Sequence, residues 1–133
     1  MTNLTDERGS ITGFVAVIAT ALVMVAGMAY DGGQVIHAHN AARNDAEQAA
    51  RAGAQQIDIT HLRQTNEPRL NPADAEAAAL DYLAQVGATG TVLVDGADVT
   101  VTVTRTQSLH ILPGADRTIT VVETASAVEE ADP

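Results

Sequence analysis

Two histidines and one carboxylate come nearest to the spacing of a metal site. His37 and His39 lie two positions apart in a stretch with helical character, and Asp31 precedes them by six positions. Residues two apart on a helix point about 200° away from each other, so the two imidazoles are poorly placed to share one ion. The set matches no recognised ligand spacing. It therefore predicts exposed polar residues near lipid headgroups rather than a metal site.

The serines and the paired acidic residues of the chain are not placed for catalysis either. Ser10, Ser108 and Ser126 lack an elbow motif such as G-x-S-x-G. Glu129 and Glu130 lie in an acidic C-terminal segment where nothing would desolvate either carboxyl group. The chain has no cysteine, which excludes a thiolate nucleophile, a thiolate metal site and a disulfide scaffold. We expect no enzyme, no cofactor and no small-molecule substrate.

Composition narrows the possible partners. The net charge is −10, and the basic residues are all Arg. Nucleic-acid binding demands a basic patch, so this balance argues against it and favours an acidic extramembrane domain. Aromatic residues make up 2% of the chain, so a soluble core must be built from Val, Ile, Leu and Ala. Such a core is thin, so the domain would depend for its stability on partners or on the chain's own long helix.

The stretch Ile11 to Tyr30 is the element around which the chain is organised. It contains no charged residue. A helix of about 20 residues spans about 30 Å, which is the hydrocarbon thickness of a bilayer. We predict a cytoplasmic leader over 1–9 and a transmembrane helix over 10–30. A short polar tail is easier to leave inside than a folded domain, so the C-terminal part is expected outside the cell membrane.

Small residues recur along the predicted span at Gly13, Ala16, Thr20 and Gly27. At helical periodicity they share one face, and small residues allow a second helix to approach closely in lipid. The alternative is that Ala and Gly are simply frequent in this chain. The first interpretation predicts a helix-packing surface for other membrane helices or for a second copy of the chain.

A helical pattern resumes after the span, over residues 31–57. Asp31, Gly32 and Gly33 form either a flexible hinge at the membrane surface or a weak point in one long helix, because each Gly costs about 1 kcal/mol relative to Ala. Glu47 and Arg51 have the spacing of a favourable i,i+4 ion pair. A narrow stripe of mostly small residues is suited to a helix seam or to a sheet: Val35, His39, Ala42, Ala46, Ala49, Gly53 and Ile57.

Residues 58–133 predict a small α+β domain. Asp58 to Leu70 contains Pro68 without a clear period and predicts a loop. A helix is predicted over 72–87, with Asn71 as N-cap and Gly87 at its end.

Beyond this helix the apolar period changes to two. Strands are expected at about 91–95, 98–106 and 117–128, joined by turns at Asp95-Gly96 and at Pro113 to Asp116. The fold class is α+β, with a long N-terminal helix, a second short helix and a three-stranded antiparallel meander.

Several of these motifs together resemble the TadE/TadG-like proteins of Flp (tight adherence) pilus assembly. They are the leader end ERGS (7–10), the segment YDGG (30–33), and the runs AARNDA (41–46) and QAARAGA (48–54). The resemblance covers about residues 7–55. It implies a membrane-anchored, non-enzymatic, pseudopilin-like subunit of a bacterial tight adherence (type IVc-like) pilus or a related secretion machine. Its partners would be other pilin-like or pilus-assembly membrane proteins.

The resemblance also implies a processing site. Family members cut by prepilin peptidase are cleaved after a Gly, which would be Gly9 here, leaving Ser10 as the first residue. They carry a Glu at the fifth mature position, where this chain has Phe14. That Glu helps subunits to register in a filament, so the departure at Phe14 leaves both cleavage after Gly9 and entry into a filament open.

A second hypothesis is a soluble secreted binding protein whose apolar stretch is a removed signal peptide. Gly27 and Ala29 are small residues at the −3 and −1 positions for cleavage before Tyr30. The apolar run is longer than an ordinary signal core, and the leader has one Arg beside two acidic residues. Both features favour the membrane-anchored protein.

Overall fold

A computed structural model describes residues 7–109 and 116–127, with side chains from Ile11 onwards. The elements in chain order are α1 (Glu7–Ala54), α2 (Ile59–Thr65), α3 (Pro72–Gln85), β1 (Thr89–Asp95), β2 (Asp98–Gln107) and β3 (Arg117–Ser126). This arrangement confirms the predicted α+β class, with a long N-terminal helix and a three-stranded antiparallel sheet.

Helix α1 has 48 residues, which corresponds to a rod of about 72 Å. It begins at Glu7, inside the segment predicted to be the leader, because an established helix gains one hydrogen bond for each residue it adds. It continues without a break through Gly32 and Gly33. Of the two arrangements that the sequence left open for this segment, the structure adopts one long helix.

The prediction of a loop over Asp58 to Leu70 was wrong in part, because this segment contains α2. Asp58 is the N-cap residue, and its Oδ1 accepts hydrogen bonds from the backbone N–H groups of Thr60 and His61, both at 3.0 Å. The helix ends at Asn66, which has a left-handed backbone with φ of 58°. A capped helix of seven residues has almost no apolar periodicity, so the pattern gave no signal for it.

Helix α3 begins with Pro72 after Asn71, as the sequence indicated, but the Asn71 side chain makes no capping hydrogen bond. Its amide group donates instead to the carboxylate of Asp74. The helix ends at Gln85, two residues before the predicted end, and Gly87 follows with φ of +66°. A positive φ is accessible to Gly at little cost, so Gly87 allows the chain to turn into β1.

The sheet has the strand order β1-β2-β3 and is antiparallel throughout. β1 starts at Thr89, earlier than predicted, and its turn to β2 contains Gly96 with φ of +63°. The strict alternation of β2 places Val99, Val101 and Val103 on one face, where all three are fully buried. The predicted second turn and the acidic tail lie, apart from Asp116, outside the described residues.

The core lies between the sheet on one side and helices α1 and α3 on the other. It consists mainly of Ala and Val, in agreement with the scarcity of aromatic residues. The buried apolar residues are Ala42, Ala46, Ala49, Ala50, Ala54, Leu70, Ala75, Ala79, Leu83, Val99, Val101, Val103, Ile119 and Val121. The C-terminal half of α1 is therefore an integral part of the folded domain.

Candidate functional site

The first candidate site is the small-residue face of the apolar half of α1, which we call the span surface: Gly13, Ala16, Thr20 and Gly27. With 100° per residue these positions fall within an arc of about 60° on one side of the helix. Gly13, Ala16 and Thr20 are exposed, and Gly27 is intermediate. A Cβ atom added at Gly13 would meet nothing within 4 Å. The span surface is thus open to an approaching helix.

The polar group of the span surface is already satisfied within the helix. The hydroxyl of Thr20 donates a hydrogen bond to the carbonyl oxygen of Ala16 at 2.8 Å. The hydroxyl therefore needs no polar partner on an approaching helix. Ala16, Thr20 and Ala21 line a shallow depression bordered by Val17 and Met24. A ridge of side chains from another helix would fit such a depression.

The apolar half of α1 is uncovered along its whole length. Of the exposed large apolar side chains in the described residues, eleven lie between Ile11 and Tyr30 and six lie elsewhere. None of the most apolar stretch of α1 is buried within the structure, and in the described part of the chain this is the one helix long and apolar enough to cross a membrane. Monomeric soluble proteins rarely expose a contiguous apolar patch of this extent. It fits a membrane anchor or a signal sequence.

The second half of α1 carries a similar stripe in a different setting. Ala42, Ala46 and Ala49 are fully buried, and Gly53 is buried with them. A Cβ atom at Gly53 would lie 2.9 Å from the carbonyl oxygen of Ala75 and 3.0 Å from a methyl carbon of Val99. These positions allow α1 to lie directly against α3 and the sheet. His39, which the sequence placed on the same stripe, is exposed.

Ion pairs that the sequence analysis missed join α1 to the sheet. The guanidinium of Arg105 on β2 donates to the carboxylate of Asp45, whose side chain is 13% exposed. Arg43 pairs with Glu123 on β3 at 2.9 Å. The predicted pair of Arg51 with Glu47 is present on the exposed face of α1. The first two pairs join residues 60 and 80 positions apart, so no local pattern could indicate them.

The segment predicted to be a hinge is in contact with the sheet. Asp31 is 4% exposed and is the buried charged residue of the described chain. Asp31 and Gly32 border a pocket that is also lined by Leu109 and Arg117, at the end of the sheet nearest the span. A Cβ atom at Gly32 or Gly33 would nevertheless meet nothing within 4 Å. The sequence contained no signal for the burial of Asp31, and hinge motion remains a prediction.

The other sequence candidates are not brought together. His37 and His39 are both exposed on α1. Among the described residues, no group of three His, Asp or Glu side chains could hold a metal ion. Ser126 is exposed at the end of β3, far along the chain from Ser108. Gly9 and Ser10 belong to the first turns of α1 by their backbone, so cleavage after Gly9 would cut inside this helix.

Comparison with known families gave one match. Residues 9–56 match the family model Tad, described as Flp pilus-assembly TadE/G-like. The match confirms the resemblance found in the sequence and covers nearly all of α1. Neither the curated proteins nor the solved structures contained a significant match. The description of the matched family names pilus assembly, and such proteins are in general structural rather than enzymatic.

Proposed function

We propose that the chain is a single-pass, non-enzymatic subunit of a tight adherence pilus or a related secretion machine. The apolar half of α1 anchors it in the bacterial cell membrane, with the N-terminus in the cytoplasm and the α+β domain outside. The span surface binds other pilin-like or pilus-assembly membrane proteins, or a second copy of the chain.

The observation that carries this proposal is the exposure of the apolar half of α1 within the region that matches the pilus-assembly family. Ile11 to Tyr30 is uncovered, whereas from residue 42 onwards one face of the same helix is buried. The C-terminal half of this helix therefore packs within the folded domain, whereas the apolar surface of its N-terminal half must be covered by something outside the domain. A bilayer with neighbouring helices supplies this cover, because small residues permit close van der Waals packing in lipid.

Membrane anchorage is tested with the protein from its own cells. We expect it to remain in membranes after a carbonate wash and its intact mass to retain Ile11 to Tyr30. A chain that starts at Ser10 would indicate pilin-type processing in addition. A chain that starts at Tyr30 and is released by carbonate would contradict the proposal and favour the secreted binding protein. The folded domain alone does not decide between the two, because its core needs only the second half of α1.

The role of the span surface is tested with paired substitutions. Gly13→Leu combined with Gly27→Leu places two bulky side chains on the span surface, and we expect co-purification with pilus components to be lost. The matched control is Ala19→Leu with Ala26→Leu, which adds comparable bulk about 90–110° away on the same helix. Unchanged co-purification for both double variants would overturn the role of this surface. Equal loss in both would indicate a general effect of bulk in the span.

A further inference from the structure

The sheet has one side turned away from α1, which we call the sheet face. The strands alternate, and Val99, Val101 and Val103 mark the inner side, so the residues between them lie on the sheet face. Its members are Thr89, Thr91, Leu93, Asp95, Asp98, Thr100, Thr102, Thr104, Thr106, Thr118, Thr120, Val122, Thr124 and Ser126. All of them are exposed or half-buried in the described part of the chain.

The charged residues of the sheet avoid most of the sheet face. An antiparallel sheet commonly packs apolar residues inward and polar residues toward water. Here Arg105, Arg117 and Glu123 belong to the inner side by alternation, and the first and last of them pair with residues of α1. Among the described members of the sheet face, the charged ones are Asp95 and Asp98, beside the turn from β1 to β2. The rest of the sheet face is uncharged, on a chain with a net charge of −10.

The strands run along α1, so the sheet face is turned sideways. At the start of β3, Arg117 borders a pocket with Asp31, and near its end Ala125 borders a pocket with Arg51. These two contacts are eight residues apart on β3, or about 26 Å, and twenty residues apart on α1, or about 30 Å. Because the two lengths agree, β3 lies nearly parallel to the helix axis. With α1 crossing the membrane, the sheet face is directed toward neighbouring molecules anchored in the same membrane.

Two large apolar side chains lie among the threonines of the sheet face. Leu93 on β1 is 67% exposed, and Val122 on β3 is 56% exposed. Their partners on β2 are two positions apart, so the two side chains lie on the outer strands in neighbouring rows. The hydroxyl groups of Thr100 and Thr124 share a hydrogen bond at 2.9 Å, which lowers the cost of removing them from water.

We propose that the sheet face binds the sheet face of a second copy of this chain. The inference rests on the proposed membrane anchorage, which gives all copies the same orientation. A symmetric pair of such copies has its two-fold axis along the membrane normal, and the same surface then serves both partners. A surface without charge suits this contact, because two copies of a strongly acidic chain repel each other elsewhere. The strands of both sheets run in the same direction, which is the aligned packing of two sheets.

The two-fold axis matches the positions of the apolar side chains. It sets β2 against β2 and places β1 of each copy opposite β3 of the other. Leu93 of one copy then lies beside Val122 of the other, and this contact occurs twice. Asp95 and Asp98 lie at the rim far from the membrane, where water and salt screen their charges. Each α1 lies behind its own sheet, so the two span surfaces do not meet in this pair and stay free for other membrane helices.

The size of the sheet face indicates a weak contact. Three strands about 4.8 Å apart, each contributing about seven residues, make a face of about 14 Å by 24 Å. Two such faces bury on the order of 1,000 Å² of accessible surface, which is at the low end for specific interfaces. We therefore expect a monomer in dilute detergent and a pair in the membrane, because confinement raises the effective concentration of the second copy.

The test uses introduced cysteines, since the chain has none of its own. The full chain in the membranes of its own cells is treated with a short bismaleimide crosslinker. Thr104→Cys places a thiol on β2 beside the two-fold axis, and we expect a crosslinked dimer. Asn44→Cys is the matched control at an exposed position on the far side of α1. We expect it to give about fivefold less dimer, because the two-fold axis places these positions on opposite sides of the pair.

The apolar contact is tested in the Thr104→Cys background. Val122→Glu puts a carboxylate against Leu93 of the other copy, and we expect crosslinking to fall about fivefold because a charge without a partner is costly to bury. Ile59→Glu is the matched control, because Ile59 is 52% exposed and lies on α2, outside the sheet. Crosslinking is expected to stay unchanged in this variant. If circular dichroism shows that Val122→Glu does not fold, Leu93→Glu takes its place.

Several outcomes would overturn the inference. Equal amounts of dimer from Thr104→Cys and Asn44→Cys would mean random encounters in the membrane. A crosslinked product whose mass reveals a different protein would mean that the sheet face binds another partner. Equal crosslinking with Val122→Glu and Ile59→Glu would mean that the apolar side chains are not in contact.

Two further measurements separate this inference from the proposed function. Gly13→Leu with Gly27→Leu should leave crosslinking at Thr104→Cys unchanged, and its loss would mean that the span surface forms the pair. If a carbonate wash releases the chain, membrane anchorage has failed and the contact between anchored copies fails with it. If the chain stays in the membrane and Thr104→Cys gives no excess of dimer, only the sheet contact is wrong.

Discussion

The two halves of α1 carry the same kind of small-residue stripe in opposite surroundings. From Ala42 to Gly53 the stripe is buried against α3 and the sheet. From Gly13 to Gly27 it is covered by nothing in the described residues, and large apolar side chains around it are exposed as well. The helix backbone is continuous between them. The difference therefore lies only in what the rest of the chain supplies as a partner.

This comparison shows what a stripe of small residues does and does not specify. Small side chains allow a close approach between backbones, and they act in the same way in water and in lipid. They do not determine whether the approaching element belongs to the same chain. In the second half of α1 the partner is intramolecular: the space beside Gly53 is so small that an added Cβ atom would lie 2.9 Å from the carbonyl oxygen of Ala75. In the first half we infer that the partner is another membrane helix.

The largest difference in stability between the two stripes is expected when one large side chain is placed in each. Gly53→Leu would collide with the Ala75 carbonyl group and with Val99, so we expect a loss of about 2–3 kcal/mol in the free energy of unfolding. Gly13→Leu should not lower this free energy, because its surroundings are open and Leu favours a helix interior over Gly. Thermal unfolding of the detergent-solubilised full chain, followed by circular dichroism, measures both.

Co-purification with pilus components should depend on Gly13, although the stability of the fold depends on Gly53. Gly13→Leu is expected to reduce co-purification with pilus components while its folding is unchanged. If Gly53→Leu unfolds at the wild-type temperature, the close packing of α1 against α3 is not as the structure describes it. If Gly13→Leu lowers the unfolding temperature as much as Gly53→Leu does, the span surface is covered within the folded chain.

A smaller effect is expected from the ion pairs that bind the second half of α1 to the sheet. Arg105→Ala would leave the carboxylate of Asp45, which is largely buried, without this guanidinium, and we expect a cost of about 1–2 kcal/mol. Arg51→Ala removes a pair whose side chains are 59% and 42% exposed, and exposed i,i+4 pairs contribute only about 0.3–0.5 kcal/mol. The same unfolding measurement ranks the two variants. Equal costs would mean that burial of Asp45 does not determine the value of its pair.

Much of the fold could be predicted because it is specified by residues that lie close together in the sequence. The alternation of Val with Thr indicates both β2 and the face it buries, and Asp95-Gly96 indicates the turn. Small residues repeating every three or four positions indicate the buried face of α1. Helix α2 was missed, because seven residues capped by Asp58 give no apolar period.

The candidate site could be predicted only in part, for a related reason. The span surface and the Asp31-Gly32-Gly33 segment are local patterns. The pair of Arg105 with Asp45 and the burial of Asp31 depend on how α1 lies along the sheet. That register is set by packing between elements far apart in the chain, and no spacing within one segment reports it.

A change of the opposite sign, a gain in stability, is expected at the junction between the two halves. Gly32→Ala with Gly33→Ala adds two methyl groups in open space within a continuous helix. Since Ala favours a helix interior over Gly by about 1 kcal/mol, we expect each substitution to raise the free energy of unfolding by at most this amount. If the glycines serve as a hinge during assembly, co-purification with pilus components should fall although the folded chain is more stable. A less stable double variant would instead mean that the sheet end packs closely on these glycines, and an unchanged level of assembly would mean that α1 acts as a rigid rod.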